Sequence, residues 1–507
     1  DANGITLNGK KMTGELVLSL PQPGSIHIDV VDETDRLVPS KITIFSTEGL
    51  DLRNEILGDG YIPTDIEWGP AVDIIFAAHG QSNIVLPPGE YIAVATRGLE
   101  YEIDISEPFT ITGQNHTQLE LQVLRTVDTT GWISADFHVH SKPSHDSGVS
   151  YHKRVATMAC EGVEYFTPTD HDYISDMDPT IEDMGLEFWI NSAPGSEVTT
   201  IEIGHYLSFP LQVNHLDDSG GAIDWTGMTP DEIVGDLKTM GRTELGVPTI
   251  YIGHPRDGIL GYFDQFGVNA FGQDDDLTIE GNLINGAGLG SLSGLVTGFT
   301  DYGALINSEL LKEENFSTDV DAIEILNGKR FELLRTPTTK EMKEYNEAMD
   351  SATSLEERSA ISSEYSQKIN SRTIEEQQEL IEQAAELRET CDITDDNQES
   401  DFFTLSSLSR GTIDDWFMLL NHGYKMTALG NSDTHGTTKV EAGCPRNYVM
   451  VDGDEPIELD DAEISQAVKD GKVLATYGPF VRFYANGDPS ITMGSTTSGE
   501  SIEISIE

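Results

Sequence analysis

Residues 131–172 read GWISADFHVHSKPSHDSGVSYHKRVATMACEGVEYFTPTDHD. An apolar run ending in two histidines, a helical stretch closed by Gly162, and a second apolar run ending in Asp170 and His171 give strand, helix and strand in order. The alternation continues. TPDEIVGDLKTMG (229–241) carries a capping box of Thr229 and Glu232, Pro230 at the first helical position and Gly241 at the stop, and it precedes the strand PTIYIGH (248–254). DAIEILNG (321–328), TIDDWFMLLNHG (412–423), YKMTALGNSD (424–433) and a helix from about Asp460 before VLATYG (473–478) follow. Strand and helix in turn predict an α/β unit with a parallel sheet or barrel over residues 128–480.

Outward from this unit the grammar changes. GELVLSL, SIHIDVVD, KITIFS, NIVLPPGEYIAVATRG, FTITG and TQLELQVL, all before Leu124, are short alternating strands with Pro-Gly turns, which predicts a small all-β sandwich over residues 1–127. Its three histidines, His27, His79 and His116, form no cluster, so a packing or attachment role is expected. Residues 339–391 contain no Gly or Pro and read as a helical insertion, either a solvated excrescence or a cap over a pocket. Residues 481–507 read as a further β element.

The chain has 507 residues with 88 acidic and 30 basic side chains, a formal charge of −58. A phosphate backbone or an anionic membrane would be repelled by such a surface, so a nucleic-acid scaffold is excluded as a first reading. The longest uncharged stretch, residues 281–300, holds six glycines and does not read as a membrane span. The three cysteines, Cys160, Cys391 and Cys444, are too scattered for a disulfide framework. The start at Asp1, the sandwich and a salt-tolerant surface fit an exported enzyme, periplasmic or extracellular.

Seven of the thirteen histidines fall at predicted strand ends beside acids: His138, His140, His145, His171, His205, His254 and His435. Alternation along a strand points His138 and His140 to one side, and Asp433 and His435 repeat that spacing. Imidazoles and carboxylates without thiolates suit Zn, Mn or Fe, and so many donors predict two or three divalent ions. Asp136 and Asp170 are candidates to orient the ligand rings.

DFHVHS, TDHD, GSEVTT to GHYLSFPL, GHPRDGILGYF and GNSDTHG followed by CPRNYV resemble the PHP (polymerase and histidinol phosphatase) superfamily, most of all its carbaryl-hydrolase-like branch with an N-terminal β-sandwich. The resemblance spans roughly residues 130–485. It implies a distorted (β/α)₇ barrel with metals at the strand C-termini, and hydrolysis, commonly of phosphoesters. It makes His138, His140, His171, His205, His254, Asp433 and His435 metal ligands and Glu197 a bridging carboxylate. After the first motif the family has an acid or a histidine; His145 and Asp146 both stand there, and related sequences favour Asp146. Arg256 and Arg446 are the expected anion-binding groups for a small anionic ester. Arg256 and His205 are the expected catalytic residues, with His205 or His145 as proton donor to the leaving oxygen.

Overall fold

The structure, a computed structural model, describes residues 22–47, 71–257 apart from 202 and 242–245, 260–269 apart from 267, 278–279, 310–328, a few positions between 348 and 361, and 412–506 apart from 439–440, 454, 489 and 499–500. The expected strand GELVLSL, the glycine-rich stretch 281–300 and nearly all of the helical insertion 339–391 lie outside the described residues.

Among the described residues eight strands come first: β1 (Gly24–Val31), β2 (Ser40–Ser46), β3 (Ala71–Ala77), β4 (Gln81–Leu86), β5 (Gly89–Thr96), β6 (Asp104–Ile105), β7 (Phe109–Ile111) and β8 (His116–Gln122). They form two sheets, ordered β4-β1-β8 and β3-β2-β5-β6, with β7 also on β5. Period-two alternation drives the packing. Ile26, Ile28 and Val30 of β1 and Ile42 and Ile44 of β2 are fully buried in one apolar cluster, while Ser25, His27 and Asp29 face the other way. Each such isoleucine contributes about 1.5–3 kcal/mol of burial, and truncating Ile28 to Ala would cost about 2–5 kcal/mol.

The second unit runs β9 (Trp132–Val139), α1 (Tyr151–Cys160), β10 (Tyr165–Pro168), α2 (Asp178–Met184), β11 (Asn191–Ser192), β12 (Ser196–Thr199), β13 (His205–Phe209), α3 (Pro230–Thr239), β14 (Thr249–Ile252), α4 (Tyr262–Phe266), β15 (Val268–Asn269), β16 (Thr278–Ile279), β17 (Ala322–Asn327), α5 (Thr412–Asn421), β18 (Thr427–Asn431), β19 (Arg446–Met450), α6 (Asp461–Lys469) and β20 (Val473–Thr476). A hairpin of β21 (Phe483–Ala485) and β22 (Ile504–Ile506) follows. Helix α3 carries the capping box read from sequence, with Thr229 N–H donating to Glu232 Oε2 at 2.8 Å.

The fold is mixed α/β, and among the described residues the strands expected to form a distorted (β/α)₇ barrel do not close into one. Ten of the strands lie in two five-stranded sheets, β11-β10-β9-β19-β20 and β12-β13-β14-β17-β18, and β15 and β16 form a separate antiparallel pair. Only β9–β10, β10–β11 and β14–β17–β18 are parallel pairs, whereas β12–β13–β14 and β9–β19–β20 are antiparallel. The connection from Thr199 to His205 is too short for a crossover helix, so β13 must run back along β12. Isolated bridges, His171 to Glu197 and Val139 to Thr434, link the two sheets at one end. Between the sheets Phe137 stacks on Phe209 with centroids 4.8 Å apart, within a buried cluster that includes Ile133, Leu207, Tyr251, Ala322 and Leu429.

The sandwich is keyed into this unit. Arg97, 3% exposed, donates to Pro39 O at 2.6 Å within the sandwich and to Ala159 O at 2.9 Å across the boundary. Lys41 pairs with Glu161 at 2.6 Å and with Glu441 at 2.8 Å. The Trp189 ring lies under both Arg36 and Arg97, at 4.4 and 4.7 Å.

Candidate metal centre

The donors gather where the two sheets are linked. β9 is buried along all eight residues and carries one extra residue against β10, because Phe166 pairs with Asp136 while Pro168 pairs with Val139. A bulge of this kind re-aims side chains. It lets Phe137 reach the core between the sheets while His138 and His140 reach the same interior above it. A second extra residue interrupts β17 between Glu324 and Leu326. His254 and Asp433 sit just past their strands with φ of 22° and 51°, a region disfavoured for side-chain-bearing residues and here associated with the site. Gly253 passes so close that a Cβ would meet Leu207 at 2.6 Å and His138 at 3.6 Å.

Glu197, fully buried on β12, is the centre of the arrangement. Its carboxylate oxygens lie 3.5 Å from His138 Nε2, 3.4 Å from His140 Nε2, 3.3 Å from His254 Nε2, and 2.8 Å from both His171 Nδ1 and His205 Nδ1. Asp433 Oδ1 lies 3.5 Å from His138 Nε2 and 3.3 Å from both His140 Nε2 and His435 Nδ1. Asp146 reaches His435 Nε2 at 3.1 Å and His171 Nε2 at 3.5 Å, and the His145 ring sits 5.0 Å from that of His171. Both neighbours after the first motif therefore stand at the exposed rim of the cluster.

These residues fit divalent ions. His138 Nε2, His140 Nε2, His205 Nε2, His254 Nδ1 and Glu197 Oε2 are buried without an aligned hydrogen-bond partner, a costly state unless something else satisfies them. Two ligands each about 2.1 Å from one tetrahedral ion stand about 3.4 Å apart, which is the spacing seen between the imidazole Nε2 atoms and the carboxylates. Overlapping groups of donors lie within 4.8 Å of one another: His138, Glu197 and His254; His138, His140 and Asp433; His140, His171 and His435; and His145, Asp146 and His171.

Burial and the neighbouring charges act in opposite directions on the donors. Burial disfavours the charged form of His138, but Asp433, Glu324 and Glu197 outweigh it and raise its pKa well above the usual range. The same contest, with Glu197 and Asp146 winning over burial, pushes His171 up to about 10. Burial wins at His140 and His205, whose pKa values are lowered. Glu197 is held well below the carboxylate range despite its burial, because His138, His171 and His205 surround it.

Around the donors lies a set of orienting contacts. Glu324, 1% exposed, accepts from His138 Nδ1 at 3.0 Å, from the His254 N–H at 2.7 Å and from Asn327 and Asn431 at 2.9 Å each. Sequence reading passed over Glu324, although a lone acid in an otherwise apolar strand, AIEILN, was the available signal. Asp170 acts one step removed, accepting from Ser144 Oγ at 2.7 Å, and that hydroxyl meets His140 Nδ1 at 2.9 Å. Asp136 departs from the expected role. Its carboxylate accepts the backbone N–H groups of His138, Ser432 and Gly443 and so fixes loops rather than a ring.

Both expected anion-binding arginines meet groups of the protein. Arg446, 2% exposed, donates to the carbonyls of Gly443 and Glu161 at 2.7 and 2.8 Å, and a Cβ on Gly98 of the sandwich would lie 3.2 Å from it. It braces the boundary between the two units. Arg256 forms a two-pronged pair with Asp415, at 2.7 and 2.6 Å, and donates to Val268 O at 2.9 Å. Among the described residues both guanidinium groups are thus engaged by protein groups, Arg446 by backbone carbonyls and Arg256 by Asp415 and Val268 O.

No family model and no curated protein matches the chain. Among solved structures it is similar to a two-domain protein from Bacteroides vulgatus containing a predicted PHP-like metal-dependent phosphoesterase, with 14% identity, TM-score 0.32, and coverage of 70% of this chain and 68% of that one. It is also similar to the Bacillus anthracis TIE protein, with 16% identity, TM-score 0.16, and 25% and 20% coverage. A third is the shaft pilin SpaA of Lactobacillus rhamnosus GG, with 9% identity, TM-score 0.16, and 24% and 55% coverage. At these distances the likenesses assign neither fold nor activity.

Proposed function

We propose that this protein is a metal-dependent hydrolase of the PHP type, holding two or three divalent ions (Zn, Mn or Fe) on His138, His140, Asp146, His171, Glu197, His205, His254, Asp433 and His435. The observation that carries the reading is a set of buried imidazole and carboxylate groups spaced about as ligands of a shared ion, in which His138 Nε2, His140 Nε2 and His205 Nε2 have no aligned hydrogen-bond partner. Ions held there would activate water near neutral pH and polarise the bond under attack. The protein's own part is to keep Glu197 ionised between the rings, to orient His138 through Glu324 and His140 through Ser144, and to offer the exposed His145 at the rim as proton donor. The substrate is a small ester, and an exported, salt-tolerant setting accords with the charge of −58. Among the described residues no helix is long and apolar enough to cross a membrane.

A phosphoester is the first substrate class, by the resemblance of the motifs. The commitment of Arg256 to Asp415 and of Arg446 to backbone carbonyls favours a second reading, hydrolysis of a carboxylic ester, amide or carbamate, which needs no forked cation for three phosphoryl oxygens. Metal-loaded protein assayed in parallel with chromogenic phosphodiester, phosphomonoester and carboxylic ester decides between them. Turnover of the carboxylic ester alone removes the phosphoesterase reading, and turnover of none removes both.

A further inference from the structure

Arg154 projects from α1 into the protein and is 0% exposed. Its Nε donates to His140 O at 2.9 Å and its NH2 group to Thr434 O at 3.0 Å. These are the carbonyl of one proposed ligand and that of the residue between two others, Asp433 and His435. The same two segments are joined by the bridge of Val139 to Thr434 and by His140 N–H donating to Thr434 O at 3.1 Å. Directly beyond this junction the rings of His140 and His435 stack with centroids 3.8 Å apart. No contact joins Arg154 to the His138, Glu197 and His254 group among those described.

Resting on the metal-site reading, we propose that Arg154 is a positioning residue for one half of the donor set: its guanidinium fixes the spacing of His140 against Asp433 and His435, and leaves the His138, Glu197 and His254 half untouched. A buried guanidinium is costly unless its donors are used, and filling space alone would be served better by Met or Leu. An arginine guanidinium keeps its charge in proteins, so its fork stays available to the two carbonyls. Lysine keeps the charge but cannot span two carbonyls with planar geometry.

The test is a Co(II) titration of metal-free protein, read by absorption and by calorimetry, on wild type, Arg154→Lys, Arg154→Gln and His254→Ala. Wild type should fill in at least two steps, and His254→Ala identifies the step that belongs to the Glu197 and His254 half. Arg154→Lys should weaken the other step by about 10–100-fold and leave the His254 step within twofold. Its unfolding midpoint without metal should stay close to that of wild type, and if Arg154→Gln does not fold, the Lys variant alone carries the comparison. Unchanged steps in Arg154→Lys overturn the positioning role. Equal weakening of both steps alongside a lowered unfolding midpoint also overturns it, since that is what a general structural brace would give. A wild type that takes up no Co(II) defeats the metal-site reading instead.

Discussion

His171 and Glu197 are joined twice, by a parallel backbone bridge between the two sheets and by a 2.8 Å contact from Nδ1 to the carboxylate. The seam that links the sheets is therefore also part of the donor cluster. Glu197→Gln keeps the shape and removes the charge. We expect it to lower the metal content by at least one equivalent in elemental analysis, against at least two equivalents in wild type. An undiminished content would show that Glu197 is structural.

Replacing both His138 and Asp433 by Ala should abolish hydrolysis while the sandwich stays folded, because neither residue touches the sandwich cluster. Activity measured beside circular dichroism checks this, and undiminished turnover would place the site elsewhere.

Glu324 holds His138 through Nδ1 and the His254 backbone together. Glu324→Gln should weaken metal binding by about 10–100-fold without changing the number of ions bound at saturation. A competition titration against a chelator of known affinity reads both quantities.

Glu164 gives a stability signal away from the centre. Burial and the nearby Glu100 push its carboxyl up to about 7, above the ordinary 4.5, although Ser134 N–H donates to it at 3.0 Å. A raised carboxyl stabilises the fold fully below about pH 4.5, and that contribution is lost as pH rises through about 7. Glu164→Gln should therefore gain on wild type between pH 5 and pH 8, by about 2 kcal/mol. Urea unfolding at the two pH values measures the difference; a gain in the opposite direction would contradict the assignment.

Lys41→Met leaves Glu161, whose side chain is 8% exposed, without its 2.6 Å partner. The expected loss is about 3 kcal/mol at pH 8. It should shrink toward pH 5, because the unpaired carboxyl is then more easily protonated. Equal losses at both pH values would mean that the ion pair contributes only packing.

Much of the site was legible in the chain because the donors sit at strand ends, and strand ends announce themselves by a switch from apolar residues to His and Asp. FHVH, TDH, GH and SDTH needed no tertiary information to be picked out. The sandwich was legible through period-two patterns such as SIHIDVV, but β3, AVDIIFA, was missed, since its first four residues are exposed and its alternation is weak. Glu324 was missed because one acid in a strand carries no partner in sequence. The protein partners of Arg256 and Arg446 were not legible either, because proximity to a motif says nothing about which way a long side chain turns.

The sequence by itself determined the order of elements and the types of donor, since both follow from local periodicity and ligand chemistry. Tertiary structure alone decided that the strands make two linked sheets, that bulges in β9 and β17 coincide with the site, and that Asp415 and the Gly443 and Glu161 carbonyls take up the two arginines. The physical reason is range. Periodicity is set by neighbours a few residues away, whereas the pairing of Glu197 with five histidines from four separate segments exists only once the backbone has closed distances that the chain leaves open.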